Sequence, residues 1–347
     1  MMDTAPWSHG SAEADSQDRP VFLQDWWVDA ACRNVCSTVD INAGSAESCE
    51  GWLRYIIYRN KIGLRLGVSP FWTHLGGPVL RSGLSSDRQR HTIRHLVSEL
   101  PSDVSMRFVC DSNSDYAAIV RDEFMAAGFS LTLLPTYLNQ PGDSDILSRM
   151  KSRHRAQIRA AANEMTIQDI HPDHFIRFYR HNLPSRSHSP LVAAHQLLSE
   201  GIARGQAHAI VAINMREPCS EGMPDAAIAC VWDRNRYYYW LSTRRRPSTT
   251  NASKPNPEAT KLLILAAVDR AAMMGLEFDA DSPETAGGRA LFAQILRFRR
   301  IEHRLVFTRH TLLNKAYNQV TRRIKETVKS AFPRARVHVP IFGEIER

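Results

Sequence analysis

Long apolar runs are missing from this 347-residue chain: the longest, Leu262 to Val268, falls far short of the roughly 20 residues that a bilayer-spanning helix needs. A basic stretch followed by an apolar core is missing from Met1 to Arg19 too, so no secretory signal is expected and the protein reads as soluble and cytoplasmic. Cysteine occurs six times (Cys32, Cys36, Cys49, Cys110, Cys219, Cys230) without a CxxC pair or a CxxC…His pattern, which leaves neither a disulfide framework nor a structural zinc site. Lysine is scarce, seven residues against 37 arginines, within a formal net charge of +8. The arginine fork pairs with phosphate and carboxylate, so anionic partners are admitted. The excess is spread along the chain and does not by itself indicate nucleic-acid binding.

What is present is a repeated order of elements. Periodicity predicts a helix over Val21–Arg33, strands at Leu53–Tyr58, Gly63–Val68 and Phe71–Leu75, and a helix over Asp87–Leu100 stopped by Pro101. A strand Met106–Cys110, a helix Tyr116–Ala127 closed by Gly128, and a strand Phe129–Leu138 follow. After a basic helix Ser144–Glu164 the order returns. Strands His208–Asn214, Ala226–Trp232 and Tyr237–Ser242 precede a helix Glu258–Met274, a strand Leu276–Ala280, a helix Arg289–Phe298, a strand His303–Thr308 and a last helix Leu312–Ala331. Matching elements lie about 170 residues apart, so the order β-β-β-α-β-α-β predicts a duplicated α/β (α+β) fold. Each copy is a mixed, mostly antiparallel sheet flanked by helices. The expected division is a flexible tail 1–19, a first domain 20–142, a linking basic helix 143–170, a second domain 171–335 bearing the active cleft, and a tail 336–347.

The run Tyr237-Tyr238-Tyr239-Trp240-Leu241-Ser242-Thr243, then Thr260-Lys261-Leu262-Leu263-Ile264, then Gly275-Leu276-Glu277-Phe278-Asp279-Ala280-Asp281, then Phe292, resembles the C-terminal half of FemAB-like acyltransferases, which carry two tandem GNAT (acetyltransferase) folds. Lys151 to Ala160 resembles the Lys/Arg-rich stretch with which that family enters its second half, and Trp26 to Ala30 its opening helix. The resemblance implies an N-acyltransferase acting on a small-molecule or cell-envelope/polysaccharide precursor. The donor would be acyl-CoA or another acyl donor, with a tRNA or an acyl carrier protein as alternative carriers. Three departures stand against it. Ser282 occupies a place where many relatives have Gly, Arg297-Phe298 replaces a Phe-Gly pair, and no Gln/Arg-x-x-Gly-x-Gly/Ala signature precedes the Glu258 helix. These departures keep open a second class, a degenerate acyltransferase that binds an anionic polymer or RNA without catalysis.

Aminolysis of a thioester or ester needs a neutral amine, hence a base. Asp281 and Asp279 are the candidates, two residues apart at a strand end; the plain alternative is a carboxylate that caps a turn or pairs with Arg. The GNAT arrangement places the donor between exposed strand backbone and the next helix N-terminus, which nominates Ser242, Thr243, Arg245, Thr260 and Lys261 for donor binding. Tyr239, Trp240 and Phe292 are candidates for the acceptor pocket, although two of the four rings at 237 to 240 must face the core. Lys151, Arg155 and Arg159 share a helix face at i, i+4, i+8 and form an anion stripe or a solvated face. His174, His181, His188 and His195 recur every seven residues, but Pro184 and Pro190 interrupt any continuous helix, so no metal is expected.

Overall fold

Ala226–Trp232 and Arg236–Arg244 are buried on both faces, the pattern of strands inside a sheet covered on either side. The computed structural model describes residues 19–45, 48–59, 63–143, 145–182, 188–215, 224–246, 254–283, 285–317 and 319–320. After a 3-10 turn at Val21–Leu23 come α1 (Asp25–Cys32), β1 (Thr38–Ser45), β2 (Ser48–Arg59), β3 (Arg65–Val68), β4 (Val79–Leu80), α2 (Ser86–Ser98), β5 (Ser105–Cys110), α3 (Ala117–Ala126) and β6 (Ser130–Asn139). Then follow α4 (Ile146–Arg149), α5 (Ser152–Ala162), β7 (Met165–Asp169), α6 (Pro172–Asn182), α7 (His188–Ala203), β8 (Ala207–Asn214), β9 (Ala226–Trp232), β10 (Arg236–Arg244), α8 (Ala259–Met273), β11 (Glu277–Asp279), α9 (Ala286–Ala290), a π-helical turn Leu291–Ile295, and β12 (Arg300–Arg309). The α/β class and the repeated order are as expected. Among the described residues, no helix is long and apolar enough to cross a membrane.

The chain groups into two compact units that are not contiguous halves: 36–134 with 304–347, and 1–35 with 135–303. The last strand of each copy, β6 and β12, crosses a unit boundary, and α1 belongs with the later copy because its rings pack there.

In the unit built on 36–134 the strand order is β1-β2-β3-β5-β12-β6, with β4 beside β2; β3 and β5 run parallel, and β1–β2, β2–β3 and β5–β12 are antiparallel. One face carries α2 and α3 over a core of Leu53, Tyr55, Ile93, Leu96, Phe108, Phe124 and Phe307. The expected strand Phe71–Leu75 is instead a turn. Trp72 takes a positive φ of 62°, and Gly76 returns to donate its N–H to Val109 O at 2.6 Å. A Cβ on Gly77 (φ +123°) would lie 2.4 Å from Cys110 Sγ, so only glycine lets the main chain fill the space past the β3–β5 pair. β1 escaped notice because its Thr, Asp and Asn residues alternate on a half-exposed strand at the end of the strand order.

In the unit built on 135–303 the order is β6-β11-β10-β9-β8-β7, with β10 and β11 parallel. α8 is apolar almost all round, and its Leu263, Ile264, Ala267 and Val268 bury against Tyr237, Phe278 and Phe292 on one face of the sheet. The other face packs the N-terminal segment, with Phe22 edge-on to Tyr238 at 4.9 Å and Trp27 edge-on to Trp240 at 5.3 Å. The expected helix Ser144–Glu164 is two helices, because Met150 turns extended (φ −69°, ψ 151°) to bury its side chain. The expected helix Arg289–Phe298 is the short α9 and the π turn, ended by Arg297 at φ +55°. Leu312–Ala331 is helical at 312–317 and 319–320, and the remainder lies outside the described residues, as do Cys219 and the tails.

Asp233 ties the N-terminus to this unit. Its buried carboxylate accepts the N–H groups of Val21 (3.1 Å), Asn235 (2.9 Å) and Arg236 (2.9 Å), while burial raises its pKa. Replacing Asp233 by Ala orphans these donors and is expected to cost about 3 kcal/mol in urea unfolding. Amide exchange should rise across 21–32 and stay unchanged in α2 and β5; uniform exchange changes would refute the anchoring role.

Candidate functional site

The parallel pairing of β10 with β11 runs only from Arg236↔Glu277 to Tyr238↔Asp279. There β11 ends, while β10 continues to Arg244 against β9. The register with β9 slips between Tyr239↔Cys230 and Leu241↔Ala229, leaving Trp240 as the extra residue of a bulge. Beyond Tyr238, alternate amides of β10 therefore face no strand on the β11 side among the described residues. Beside this opening lies a shallow cleft of about 340 Å³, lined by Asn182, Ser242, Thr243, Arg244, Arg246 and Thr260.

Several expected donor-site residues converge here. Ser242 and Thr243 close the C-terminal end of β10, and Thr260 opens α8. The Thr243 hydroxyl is buried and, among the described residues, has no hydrogen-bond partner, so the cleft holds an unsatisfied donor and acceptor. Arg244 and Arg246 are exposed, and among the described residues neither has a carboxylate partner. Arg245 does something else: its Nε and Nη2 donate to Oδ1 of the fully buried Asp225 at 3.1 and 2.5 Å. Oδ2 of Asp225 accepts the Asn256 N–H at 2.9 Å, so one carboxylate grips both ends of the segment joining β10 to α8. Asn182 completes the frame by accepting the Arg246 N–H at 3.0 Å. Lys261 lies 2.6 Å from Glu258 at the head of α8, neutralising the one acidic group that would oppose an anion there.

The acceptor-side candidates divide. Tyr239 meets the buried Phe292 edge-on at 5.8 Å, and its burial raises its pKa. Trp240 faces the opposite way into the core against Trp27. Lys151 is exposed at the N-cap of α5 and not on the helix, so the three-residue stripe reduces to Arg155 and Arg159. Arg155 in turn donates to Ser148 O at 3.2 Å, closing the end of α4.

The two aspartates do not share a strand face. β11 stops at Asp279, and Asp281 lies past it with φ +52°. Asp279 is fully buried and accepts from Thr136 Oγ1 (2.5 Å), the Asp281 N–H (2.9 Å) and Arg236 Nη1 (3.3 Å). Asp281 is half-buried at the end of the sheet toward which β10 opens. Asp173 and His195 join α6 to α7 at 2.6 Å. Among the described residues, no group of three His, Cys, Asp or Glu is arranged to hold a metal ion.

Sequence reasoning missed a buried cluster beneath the bulge. His208 on β8 is the register partner of Cys230, and its ring lies between the Tyr237 hydroxyl at Nε2 and Arg270 Nη1, 2.5 Å from Nδ1. Burial, then the Arg270 charge, brings the His208 pKa down to about 4, and Asp169 at 4.0 Å only partly opposes this. Burial pushes the Cys230 thiol up to about 12. A lone His in an apolar strand carries no spacing that could have announced it.

Fold and site together define a mixed α/β protein with a twice-used strand order and one open strand pair. No protein-family model matches the sequence, and no curated protein matches it. Among solved structures it is similar to FemX, at 11% identity and TM-score 0.58, covering 92% of this chain and 99% of that one. It is also similar to a conserved protein of unknown function from Bacteroides thetaiotaomicron, at 11% identity and TM-score 0.53, covering 86% and 95%. A tandem GNAT protein from the clavulanic acid biosynthesis pathway aligns at 13% identity and TM-score 0.48, covering 80% and 84%. The fold is that of FemX, in agreement with the FemAB-like resemblance of the sequence.

Two outcomes follow. Asp225→Ala leaves Arg245 half-buried without its carboxylate, with an expected loss of about 3 kcal/mol in urea unfolding and faster amide exchange at 256–261; an unchanged midpoint contradicts this. His208 is neutral in the folded chain down to about pH 4 and protonates near 6.5 when unfolded. Its contribution is therefore intact above pH 6.5 and lost as pH falls toward 4, about 3 kcal/mol in all. His208→Phe should flatten that part of the stability curve, and an equally steep curve in the variant counts against the assignment.

Proposed function

We propose that the protein is an N-acyltransferase that moves an acyl group, acetyl or aminoacyl, from a thioester or aminoacyl donor to an amine of a small-molecule or cell-envelope precursor. The observation that carries this reading is the parting of β10 from β11 beside the cleft of Thr243, Thr260, Arg244 and Arg246. Cations, an unsatisfied hydroxyl and the head of α8 suit a phosphorylated carrier such as coenzyme A. The acyl carbonyl then lies against the β10 main chain beyond Tyr238, whose amides on the β11 side stabilise the oxyanion formed as the amine attacks. The new C–N bond forms as the bond to the carrier breaks, and the amine proton leaves to a base. Asp281 fits that role better than Asp279, because Asp279 is closed in by three donors. The FemX likeness supports the fold for such chemistry. The competing reading, a non-catalytic module that holds an anionic polymer or RNA, would use Arg155 and Arg159 of α5 together with Arg244 to Arg246, Lys151 standing at the N-cap of that helix.

The test is calorimetric titration of the purified chain with coenzyme A and acetyl-CoA. Saturable binding is expected, weakened at least tenfold in Arg244→Ala/Arg246→Ala with unfolding stability within about 0.5 kcal/mol of the parent. If neither compound nor an aminoacyl-tRNA binds, and RNA binds with a steep salt dependence, the acyltransferase reading falls.

A further inference from the structure

We propose that the apolar face of the helix after β12, helical at 312–317 and 319–320, is a docking surface for an anionic membrane, on which Leu312, Leu313 and Val320 dip between the lipid headgroups. These residues belong to the unit built on 36–134 with 304–347 and do not line the acyl-donor cleft. The surface therefore stands whether or not that cleft takes coenzyme A.

The first turn of this helix is held to the protein by polar groups. Thr311 caps it: the hydroxyl accepts the Asn314 N–H at 3.3 Å, and the carbonyl accepts the Lys315 N–H at 2.9 Å. Ser105, at the start of β5, grips the same turn. Its hydroxyl accepts the Thr311 N–H at 2.9 Å and the Asn314 side-chain amide, and donates to the Thr311 hydroxyl at 3.5 Å. Arg309, the last residue of β12, fixes the entry by donating to Leu100 O at 3.2 Å and Pro101 O at 2.8 Å. Ser105 and Asn314 are each 1% exposed, so the side turned to the protein is polar. Leu312, Leu313 and Val320 are 85%, 67% and 57% exposed. A helix laid on a globular core turns its apolar stripe inward. This one turns it out.

The sequence says what covers that side. Leu312, Ala316, Val320, Ile324, Val328 and Phe332 recur every four residues up to Pro333, the spacing of one helix face. From 312 to 332 stand five cations, Lys315, Arg322, Arg323, Lys325 and Lys329, against one carboxylate, Glu326. At helical spacing Lys315, Arg322, Lys325 and Lys329 fall away from the apolar stripe. An apolar stripe backed by Lys and Arg is the pattern of a helix lying in a bilayer interface, where the stripe enters the acyl boundary and the long cationic side chains reach anionic headgroups. Charge argues against a second copy of this chain as the occupant, because pairing two copies sets five cations of one against five of the other. The helix lies on the bilayer and does not cross it; among the described residues, no helix is long and apolar enough to cross.

The full-length protein is expected to co-sediment with vesicles of about one-third phosphatidylglycerol in phosphatidylcholine at roughly 0.1 M salt, and not with vesicles of phosphatidylcholine alone. Raising the salt should release it. Leu312→Ser/Leu313→Ser/Val320→Ser is expected to weaken vesicle binding about tenfold or more with an unchanged urea midpoint, because these side chains are exposed in the folded chain. Failure of the parent to sediment with the anionic vesicles overturns the proposal, as does sedimentation that the triple variant leaves unchanged. A dimer in sedimentation velocity that the triple variant splits also overturns it and assigns the face to a second copy. Should the triple variant not fold, Leu312→Ser alone carries the same measurement, with a loss of about threefold expected and unchanged binding again contrary.

Discussion

One guanidinium decides where the two central strands of the 135–303 unit stay together. Arg236, at the start of β10, reaches Glu277 at 3.5 Å and Asp279 at 3.3 Å on β11, and Glu302 at 2.8 Å on β12. Arg300 adds a second cation, 2.7 Å from Glu277 and paired with Glu302. One buried and two half-buried carboxylates against two arginines would be costly if any member were absent, so the cluster fixes the base of the parallel pair firmly. Past Asp279 the pairing with β11 ends, and β10 bulges away. The opening depends on a closed end as much as on a free one.

Duplication makes the contrast with the other unit instructive. There the parallel pair β3–β5 also ends early, at Val68↔Arg107, but the following main chain folds back to bond Val109 and packs Gly77 onto Cys110. The same strand order therefore yields one filled gap and one open one. The difference lies in connection chemistry. A Pro70, Gly76, Gly77, Pro78 segment can enter a narrow space, whereas the segment after β10 starts with Arg245 and Arg246, which are bound by Asp225 and Asn182.

Strands with apolar runs and helices with clean stops were legible in the sequence, as were the duplication and the convergence of Ser242, Thr243 and Thr260, because all depend on local pattern. What was not legible depends on partners far along the chain. Arg245 and Lys261 read as ligand contacts from their position, yet each is claimed by a carboxylate, Asp225 and Glu258. Asp279 and Asp281 were placed on one face by a strand two residues too long.

Backbone strain gathers where the sequence departs from the FemAB-like pattern. Arg297, in the Arg297-Phe298 pair, adopts φ +55°, and Asp281, just before Ser282, adopts φ +52°. A side chain in the left-handed region costs about 1 kcal/mol, and short polar residues bear it best. Asp281 lowers that cost by giving its N–H to Asp279, which turns the chain sharply out of the sheet. The buried aspartate thus serves the half-buried one: by spending its oxygens on Thr136, Arg236 and this amide, Asp279 fixes the turn that sets Asp281 at the open end of β10.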